Sequence, residues 1–227
     1  MKKIILSILF FLFGLSSSNS HVAHYDKFNY LEYELFRNNK LIGYHKYNFI
    51  RINDELSVKS KVEFKITKLG VDLYKYNASS NEIYRNNEFY SFSSKTNQNK
   101  KEKYVNIKLD KANNQLIVDG SSFKGKTSKD FIVWTWWNHR IIKTKAQISA
   151  ISGRVIKQKV TFIGKEIIKI NNIEYNTLKF NFSSSDPNLP DKKKLNTDIW
   201  YDEKTFLWIK ASFNKQGQWE YRIKSYN

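Results

Sequence analysis

Apolar and polar residues alternate along most of the chain. Between positions 55 and 66, apolar side chains occupy five of the six even positions, whereas Lys, Glu and Ser occupy every odd one. A period of two places one face of a β-strand on a core and the other in water, and a single wet face favours antiparallel sheets. The same alternation recurs in the segments 105–109, 178–182, 207–213 and 219–223.

Pairs of Asn or Asp separate the alternating segments. These residues tolerate left-handed backbone and are typical of tight turns. Their spacing predicts roughly ten to twelve strands in an antiparallel up-and-down meander, which must curl into a barrel or half-barrel of lipocalin-like form to protect its edges. The pairs are Asn38-Asn39, Asn53-Asp54, Asn86-Asn87, Asn113-Asn114 and Asn171-Asn172.

Two stretches interrupt the alternation. Residues 128–138 begin with Ser128, a favourable N-cap, and are rich in large apolar side chains. They predict a short helix or a packed loop. Residues 183–197 contain Pro187, Pro190 and a run of three lysines, which is typical of an exposed connection. No shift in composition marks a boundary, so residues 21–227 are predicted to form a single all-β domain.

The first 20 residues have the pattern of a secretory signal peptide. Lys2 and Lys3 precede a mostly apolar run at 4–15, and Ser18 and Ser20 occupy the −3 and −1 positions of a cut after Ser20. No later stretch approaches the ~18 apolar residues that a membrane helix needs. The chain has no cysteine, which excludes disulfides and a lipidated cysteine anchor. We therefore expect a soluble periplasmic protein without stable membrane insertion.

The chain is strongly basic, with 39 Lys and Arg against 21 Asp and Glu and a formal charge of +18. Such a balance suggests nucleic acid or an anionic membrane as partner. However, 33 of the basic residues are Lys, they are spread along the chain, and only 6 are Arg, the residue that reads phosphates and bases. We expect no nucleic-acid partner, whereas weak attraction to anionic surfaces stays open.

Residues 120–127 match the phosphate-loop pattern G-x-x-x-x-G-K-[ST] at every position. A phosphate loop needs a parallel β-α-β unit so that a helix N-terminus faces the phosphates. The surrounding alternation is antiparallel in character. We interpret the match as a Gly-, Ser- and Lys-containing loop after a strand.

Carboxylates offer the main route to an enzyme. Asp198 and Asp202 would lie on one face of a strand with their Cα atoms roughly 13 Å apart, too far for a glycosidase pair acting alone. A carbohydrate- or lipid-active hydrolase would need Asp198, Asp202 or Glu203 together with a distant carboxylate. No nucleophile motif of the type G-x-S-x-G occurs.

Histidines give little support for a metal centre. The four histidines show no paired spacing. Cleavage before His21 would leave an N-terminal histidine, which can bind copper together with a second histidine. His24 is too close to His21 in sequence to be an easy second ligand. We expect no metal and no cofactor.

A cluster of aromatic residues is the strongest candidate for ligand binding. Aromatic faces beside amide and guanidinium donors can bind sugars, lipids or planar ligands, but they can equally fill the interior of a barrel. Because Trp136 and Trp137 are adjacent, at least one is expected to point away from the core. The candidate residues are Trp134, Trp136, Trp137, Asn138, His139 and Arg140.

The order of several segments resembles a family of uncharacterised exported proteins of Gram-negative proteobacteria. The resemblance covers nearly the whole chain after the leader and implies export and an all-β fold, but it transfers no catalytic residue. The segments are Tyr33–Gly43, Val62–Tyr76, Asn81–Tyr84, Trp137-Asn138, Ile151–Gly153, Ile163–Glu166, Asp198–Asp202, Gly217 and Tyr221.

These observations favour a monomeric, non-catalytic module that binds an amphiphilic or lipid-like ligand. The aromatic cluster would form the mouth of the barrel, and Arg140, Lys143 and Lys145 would meet an anionic head group. The alternative is a filled barrel that acts as a structural or protein-interaction module, and a hydrolase is the third option.

Overall fold

The computed structural model describes residues 25–227, and within them nearly all regular structure is β. Two short 3-10 helices span His139–Ile142 and Asp191–Lys193. The strands are β1 (Tyr30–Arg37), β2 (Lys40–Ile52), β3 (Glu55–Lys68), β4 (Val71–Arg85), β5 (Glu88–Gln98), β6 (Lys101–Asp110), β7 (Gln115–Gly120), β8 (Lys124–Ser128), β9 (Ile132–Val133), β10 (Ala146–Ile148), β11 (Val155–Ile170), β12 (Ile173–Ser184), β13 (Asn196–Asp202), β14 (Trp208–Asn214) and β15 (Gln218–Tyr226).

All fifteen strands of the described chain belong to one sheet. Its order is β8-β7-β6-β5-β4-β3-β2-β1-β15-β14-β13-β12-β11-β10-β9. Every neighbouring pair is antiparallel except β9 with β10. The predicted all-β meander is therefore confirmed, with more strands than the ten to twelve expected. The additional strands include β8, β9 and β10, which are five, two and three residues long and too short to show a periodic pattern.

The sheet curls until its two edges, at β8 and β9, approach each other. Within the described residues these edge strands do not pair, so the barrel stays open. The Ser122 N–H donates to the Ser152 carbonyl at 2.9 Å, and the Ser94 hydroxyl donates to the Ala150 carbonyl at 2.6 Å. A Cβ at Gly120 would lie 2.6 Å from the Ser152 oxygen, so only glycine permits this approach. The result is an open, barrel-like sheet with a concave inner face.

Hairpin turns define two ends of this barrel. We call the end that carries turns 38–39, 69–70, 99–100 and 215–217 the rim end, and the opposite end, with turns 53–54, 86–87 and 171–172, the base. Asparagine takes left-handed backbone at the turns as the sequence predicted, for example Asn38 with φ 49° and Asn171 with φ 50°. The core lies inside the curl, on the inner face of the sheet.

The predicted signal peptide and its cleavage site lie outside the described residues, as do His21 and His24. Over residues 25–227, no helix is long and apolar enough to cross a membrane.

Candidate functional site

An irregular segment crosses the interior of the barrel near its base. We call residues 134–142 the plug. They comprise a loop and the 3-10 helix at His139–Ile142, which Asn138 caps. Of the short helix or packed loop predicted at 128–138, a packed loop is found at 134–138, whereas Ser128 ends β8 instead of capping a helix and Ile132–Val133 form β9. Trp136, Trp137 and Ile141 of the plug belong to the large core cluster. The plug therefore fills part of the space that the curled sheet encloses.

Side chains of the barrel satisfy the backbone of the plug. The Tyr47 hydroxyl donates to the Thr135 carbonyl at 2.7 Å, and the Tyr201 hydroxyl donates to the Trp136 carbonyl at 2.9 Å. The Gln158 amide donates to the Ile141 carbonyl at 2.9 Å. A buried loop would otherwise leave these carbonyls without partners, which costs free energy. The plug is thus held as a built part of the fold.

A buried carboxylate ties the plug to strand β4. Glu82 accepts hydrogen bonds from the Tyr84 hydroxyl at 2.5 Å, from the Trp137 indole N–H at 3.1 Å and from the Thr135 hydroxyl at 3.4 Å. The Asn138 amide donates to the Tyr84 hydroxyl at 2.9 Å. Burial raises the pKa of Glu82 to about 7, and the three donors oppose that rise.

Glu82 is not among the site residues that the sequence predicts. A signal was present, because Glu82 falls in register with Tyr76, Ala78, Ser80 and Tyr84, which face inward. A lone carboxylate at an inward position needs buried partners. Two of its three donors, Thr135 and Trp137, lie more than fifty positions away, so the signal could indicate the burial but not the plug.

The six predicted ligand-binding residues lie together in the plug, most of them covered. Trp136, Trp137, Asn138 and His139 are buried, whereas Trp134 and Arg140 are half-buried. The expectation that one of the adjacent tryptophans points away from the core is wrong, since Trp136 and Trp137 expose only 7% and 1% of their surface. The backbone at Trp136 is left-handed, with φ 51°, and this breaks the strand-like alternation that the expectation assumed.

The inner face of the sheet changes from covered to partly open between the base and the rim. On β3, inward-facing Leu56 and Val58 are buried, while Val62 and Phe64, further toward the rim, are half-exposed. Strand β15 shows the same change from buried Ile223 to half-exposed Tyr221 and Trp219. On these two strands, therefore, the inner face is covered toward the base and partly accessible toward the rim.

Aromatic rings line this partly accessible region, four of them half-exposed and one, Tyr76, buried beneath Phe64. We call Phe64, Tyr74, Tyr76, Phe213 and Trp219 the aromatic ledge. Phe64 stacks on Tyr76 at 4.7 Å between ring centroids and contacts Trp219 at 5.3 Å, and Trp219 stacks on Phe213 at 5.9 Å. Phe64 and Trp219 come from strands with β1 and β2 between them, so the two rings can meet only across the concave side.

Two features shape the surface beside the ledge. Gly43 lies between the strands of Phe64 and Trp219, and a Cβ there would be 2.5 Å from the Phe64 Cβ. The Arg37 guanidinium lies over the Trp219 ring at 5.8 Å. A cation thus stands at the edge of an apolar aromatic surface.

His45 lies on the inner face between the ledge and the plug. Its ring packs on Tyr47 at 4.2 Å and lies 6.0 Å from Tyr221. Within the described chain neither ring nitrogen has a hydrogen-bond partner, and burial lowers the pKa of His45 to about 3. The imidazole is therefore neutral over the physiological range.

The candidate carboxylates of a hydrolase each have separate partners. Asp198 pairs with Lys179 at 3.3 Å on the outer face, Asp202 accepts from the Thr205 N–H at 2.7 Å in a turn, and Glu203 pairs with Lys165. These contacts are structural in type. They give the hydrolase hypothesis no shared cleft.

The phosphate-loop match lies in an antiparallel hairpin formed by β7 and β8. Lys124 of the match pairs with Asp119 at 3.0 Å and lies over the Tyr104 ring at 5.8 Å. A strand follows the loop where a phosphate loop requires a helix, so the interpretation as a loop after a strand is confirmed. Across residues 25–227, no group of three or more His, Asp or Glu side chains is placed to hold a metal ion.

Residues 33–224 match the family described as domain of unknown function DUF6134. The chain belongs to this family. The resemblance to an uncharacterised family is thereby confirmed at the level of the family alone. A comparison of this DUF6134 chain with curated protein sequences found no match.

Solved structures show similarity to the DUF6134 fold. The crystal structure of a β-barrel-like protein of domain of unknown function DUF1849 from Brucella abortus has a TM-score of 0.59 and 10% sequence identity, over 87% of this chain and 96% of that one. A DUF1329 family protein from Desulfovibrio piger has 10% identity over 91% and 89% of the two chains, but its TM-score of 0.20 supports no inference. The first similarity shows a barrel-like fold and nothing about ligand or partner.

Proposed function

We propose that this DUF6134 protein is a non-catalytic, monomeric module of the periplasm that binds an amphiphilic or lipid-like ligand on the rim half of its concave face. The observation that carries this proposal is the change along the inner face of β3 and β15 from buried residues toward the base to half-exposed aromatic ones toward the rim. Water-accessible aromatic rings on a concave surface are typical of sites for apolar ligands.

The chemistry of the ledge indicates how such a ligand would lie. Phe64 and Trp219 offer ring faces to an acyl or cyclic portion, while Arg37 at the edge of Trp219 suits an anionic head group. The plug closes the base, so the ligand would enter from the rim. This placement differs from the mouth that the sequence predicted at residues 134–140. Trp134 belongs to that predicted mouth, but its half-exposed ring packs on the core and on Trp136.

The export part of the proposal rests on the sequence. The order of charge, apolar run and small residues in positions 1–20 supports a cleavable leader, and the lack of cysteine supports a protein that is not lipid-anchored.

One variant pair tests the ligand site directly. Phe64 faces the concave side, whereas Tyr44, on the neighbouring strand, faces outward and is exposed. Native mass spectrometry of protein purified from the periplasm should show co-purifying lipid in the wild type and in Tyr44→Ser, and a much reduced adduct in Phe64→Ser. A bare mass for the wild type, or equal adducts in the two folded variants, would contradict the proposal.

A second candidate function is the filled barrel that acts as a structural or protein-interaction module. The buried, hydrogen-bonded plug specifically favours it, because Trp136 and Trp137 pack as core residues do. Substitution of Trp137 by Ala tests whether the plug is core, while the presence or absence of a lipid adduct on the wild type separates the two candidates. A loss of ~3–5 kcal/mol in stability indicates a core residue. Loss of a lipid adduct without loss of stability would instead place the ligand at the plug.

A further inference from the structure

A single hairpin projects from the rim beyond its neighbours. Strand β2 pairs with β3 only as far as Gly43 opposite Phe64, and β5 pairs with β4 only as far as Gln98 opposite Tyr76. We call residues 65–75, which form the end of the β3–β4 hairpin, the finger. Four residues of strand at about 3.3 Å each make it protrude by roughly 13 Å. Within the described chain, no strand pairs with either flank of the finger.

The tip of the finger is apolar and fully accessible. Leu69 exposes 94% of its surface, Val71 exposes 62% and Leu73 exposes 54%. Isolated apolar residues are common on protein surfaces, but here three exposed ones fall within five positions at the end of a protruding hairpin.

The turn at the tip carries an apolar residue at a position where four other hairpins carry asparagine. The first left-handed turn position is Asn38, Asn86, Asn99 and Asn171 in four other hairpins, with φ between 49° and 51°. In the finger that position is Leu69, also with φ 51°. A leucine in left-handed backbone is strained and gains nothing from water. Gln216 takes the same backbone in the β14–β15 hairpin, but its side chain is polar, whereas Leu69 leaves an apolar side chain 94% exposed.

Positive charge surrounds the apolar tip. Lys65, Lys68 and Lys75 lie on the finger with one carboxylate, Asp72, which pairs with Lys75 at 3.1 Å. The neighbouring turn continues into Lys100 and Lys101 at the same end of the barrel. An apolar tip within a collar of lysines matches the interface of an anionic bilayer, where apolar side chains enter the acyl region and lysines meet head groups.

We propose that the finger docks the protein reversibly on an anionic lipid bilayer, with Leu69, Val71 and Leu73 inserted and the surrounding lysines at the head groups. This inference does not depend on a bound ligand. Phe64 of the aromatic ledge lies next to the first residue of the finger. Docking therefore turns the partly accessible region of the concave face toward the membrane surface.

Vesicle sedimentation of the full chain tests the proposal with a matched control. Ile52 and Ile173 expose 66% and 53% of their surface at the base of the barrel, so Ile52→Ser/Ile173→Ser removes similar apolar surface from the opposite end. The wild type should sediment with phosphatidylglycerol-containing vesicles and not with pure phosphatidylcholine. We expect Leu69→Ser/Val71→Ser to weaken binding about ten-fold or more. The base variant should bind as the wild type does.

Charge and insertion can be measured separately. Lys68→Gln should weaken binding to the anionic vesicles about five-fold, with less effect at high salt. Because the chain has no cysteine, Leu69→Cys and Ile52→Cys each provide a single labelling site for a polarity-sensitive dye. The dye should report an apolar environment on vesicles at position 69 and not at position 52.

Three outcomes would overturn the proposal. In the first, the wild type does not sediment with the vesicles. In the second, the finger variant and the base variant bind equally well. In the third, the finger variant changes the oligomeric state in size-exclusion chromatography but binds vesicles as the wild type does. The last result would identify the finger as a protein contact. None of them bears on the lipid adduct expected in native mass spectrometry, so the docking and the ligand site fail independently.

Discussion

Neutralising Glu82 should change how the stability of the protein depends on pH. The Glu82 carboxyl is buried against the plug, and burial raises its pKa from an ordinary value of 4.5 to about 7. The folded state therefore holds a proton that the unfolded chain releases between these values. The stabilisation from this proton is fully present below pH 4.5 and is lost as the pH rises through 7. Glu82→Gln keeps the shape of the side chain and removes the titration.

The size of the effect follows from the shift in pKa. A rise from 4.5 to about 7 corresponds to about 3 kcal/mol of unfolding free energy, at 1.36 kcal/mol for each pKa unit. His45 acts in the opposite direction. Its pKa falls from 6.5 to about 3, so its contribution is lost as the pH falls through that range. The two groups offset each other between pH 4.5 and 6.5, which makes the difference between wild type and variant the informative quantity.

Urea unfolding followed by tryptophan fluorescence at pH 5, 6, 7 and 8 measures this difference. We expect the unfolding free energy of the wild type minus that of Glu82→Gln to fall by about 2.5 kcal/mol across the series, because the rest of the change lies below pH 5. Trp137→Phe is the control, because it removes the indole donor and keeps the carboxyl. The unfolding free energy of Trp137→Phe minus that of Glu82→Gln should depend on pH as strongly as the wild-type difference does, or more strongly.

A difference between wild type and Glu82→Gln that stays constant from pH 5 to 8 would refute the reasoning. It would show that the Glu82 carboxyl titrates alike in the folded and unfolded chain. The plug would then be held by packing and by the carbonyl hydrogen bonds alone.

Three further substitutions test the packing of the barrel, each by urea unfolding. Gly43→Ala should destabilise by about 3 kcal/mol, because its Cβ would lie 2.0 Å from the Glu63 carbonyl oxygen, and a loss below ~1 kcal/mol would contradict this. As the pH falls from 6.5 to 4, the unfolding free energy of His45→Phe should decrease less than that of the wild type. Parallel plots of unfolding free energy against pH would show that the imidazole is not desolvated. Tyr201→Phe should cost about 1–3 kcal/mol by leaving the Trp136 carbonyl without its partner, and a neutral result would place water there.

Local pattern was sufficient to predict the class of fold. Period-two alternation and Asn-containing turns are properties of a few neighbouring residues, so the antiparallel meander and most of its hairpins follow from the sequence. Strands β9 and β10 have two and three residues and are defined by their pairing with each other and with β11. No local pattern could indicate them.

The site was less predictable because burial inside a curled sheet depends on distant residues. Alternation indicates that Leu56, Val58, Val62 and Phe64 face one side. It cannot indicate that the plug covers the first two and leaves the others half-exposed, since the plug lies some seventy residues further along the chain. The aromatic character of residues 134–137 was visible, but the hydrogen bonds that hold them came from Tyr47, Glu82 and Tyr201, on three different strands.

The position of β1 in the middle of the sheet has a consequence for synthesis. Strand β1 is made first, yet one of its two partners is β15, and the contact of Glu32 with Lys224 joins residues 192 positions apart. At about 5–20 residues per second, β1 has an unpaired edge for roughly 10–40 s. An unpaired edge invites pairing with other chains, and charged side chains discourage it. Glu32, Glu34 and Arg37 give β1 a charge at nearly every second position, so the nascent strand is protected until the last strand of the chain arrives.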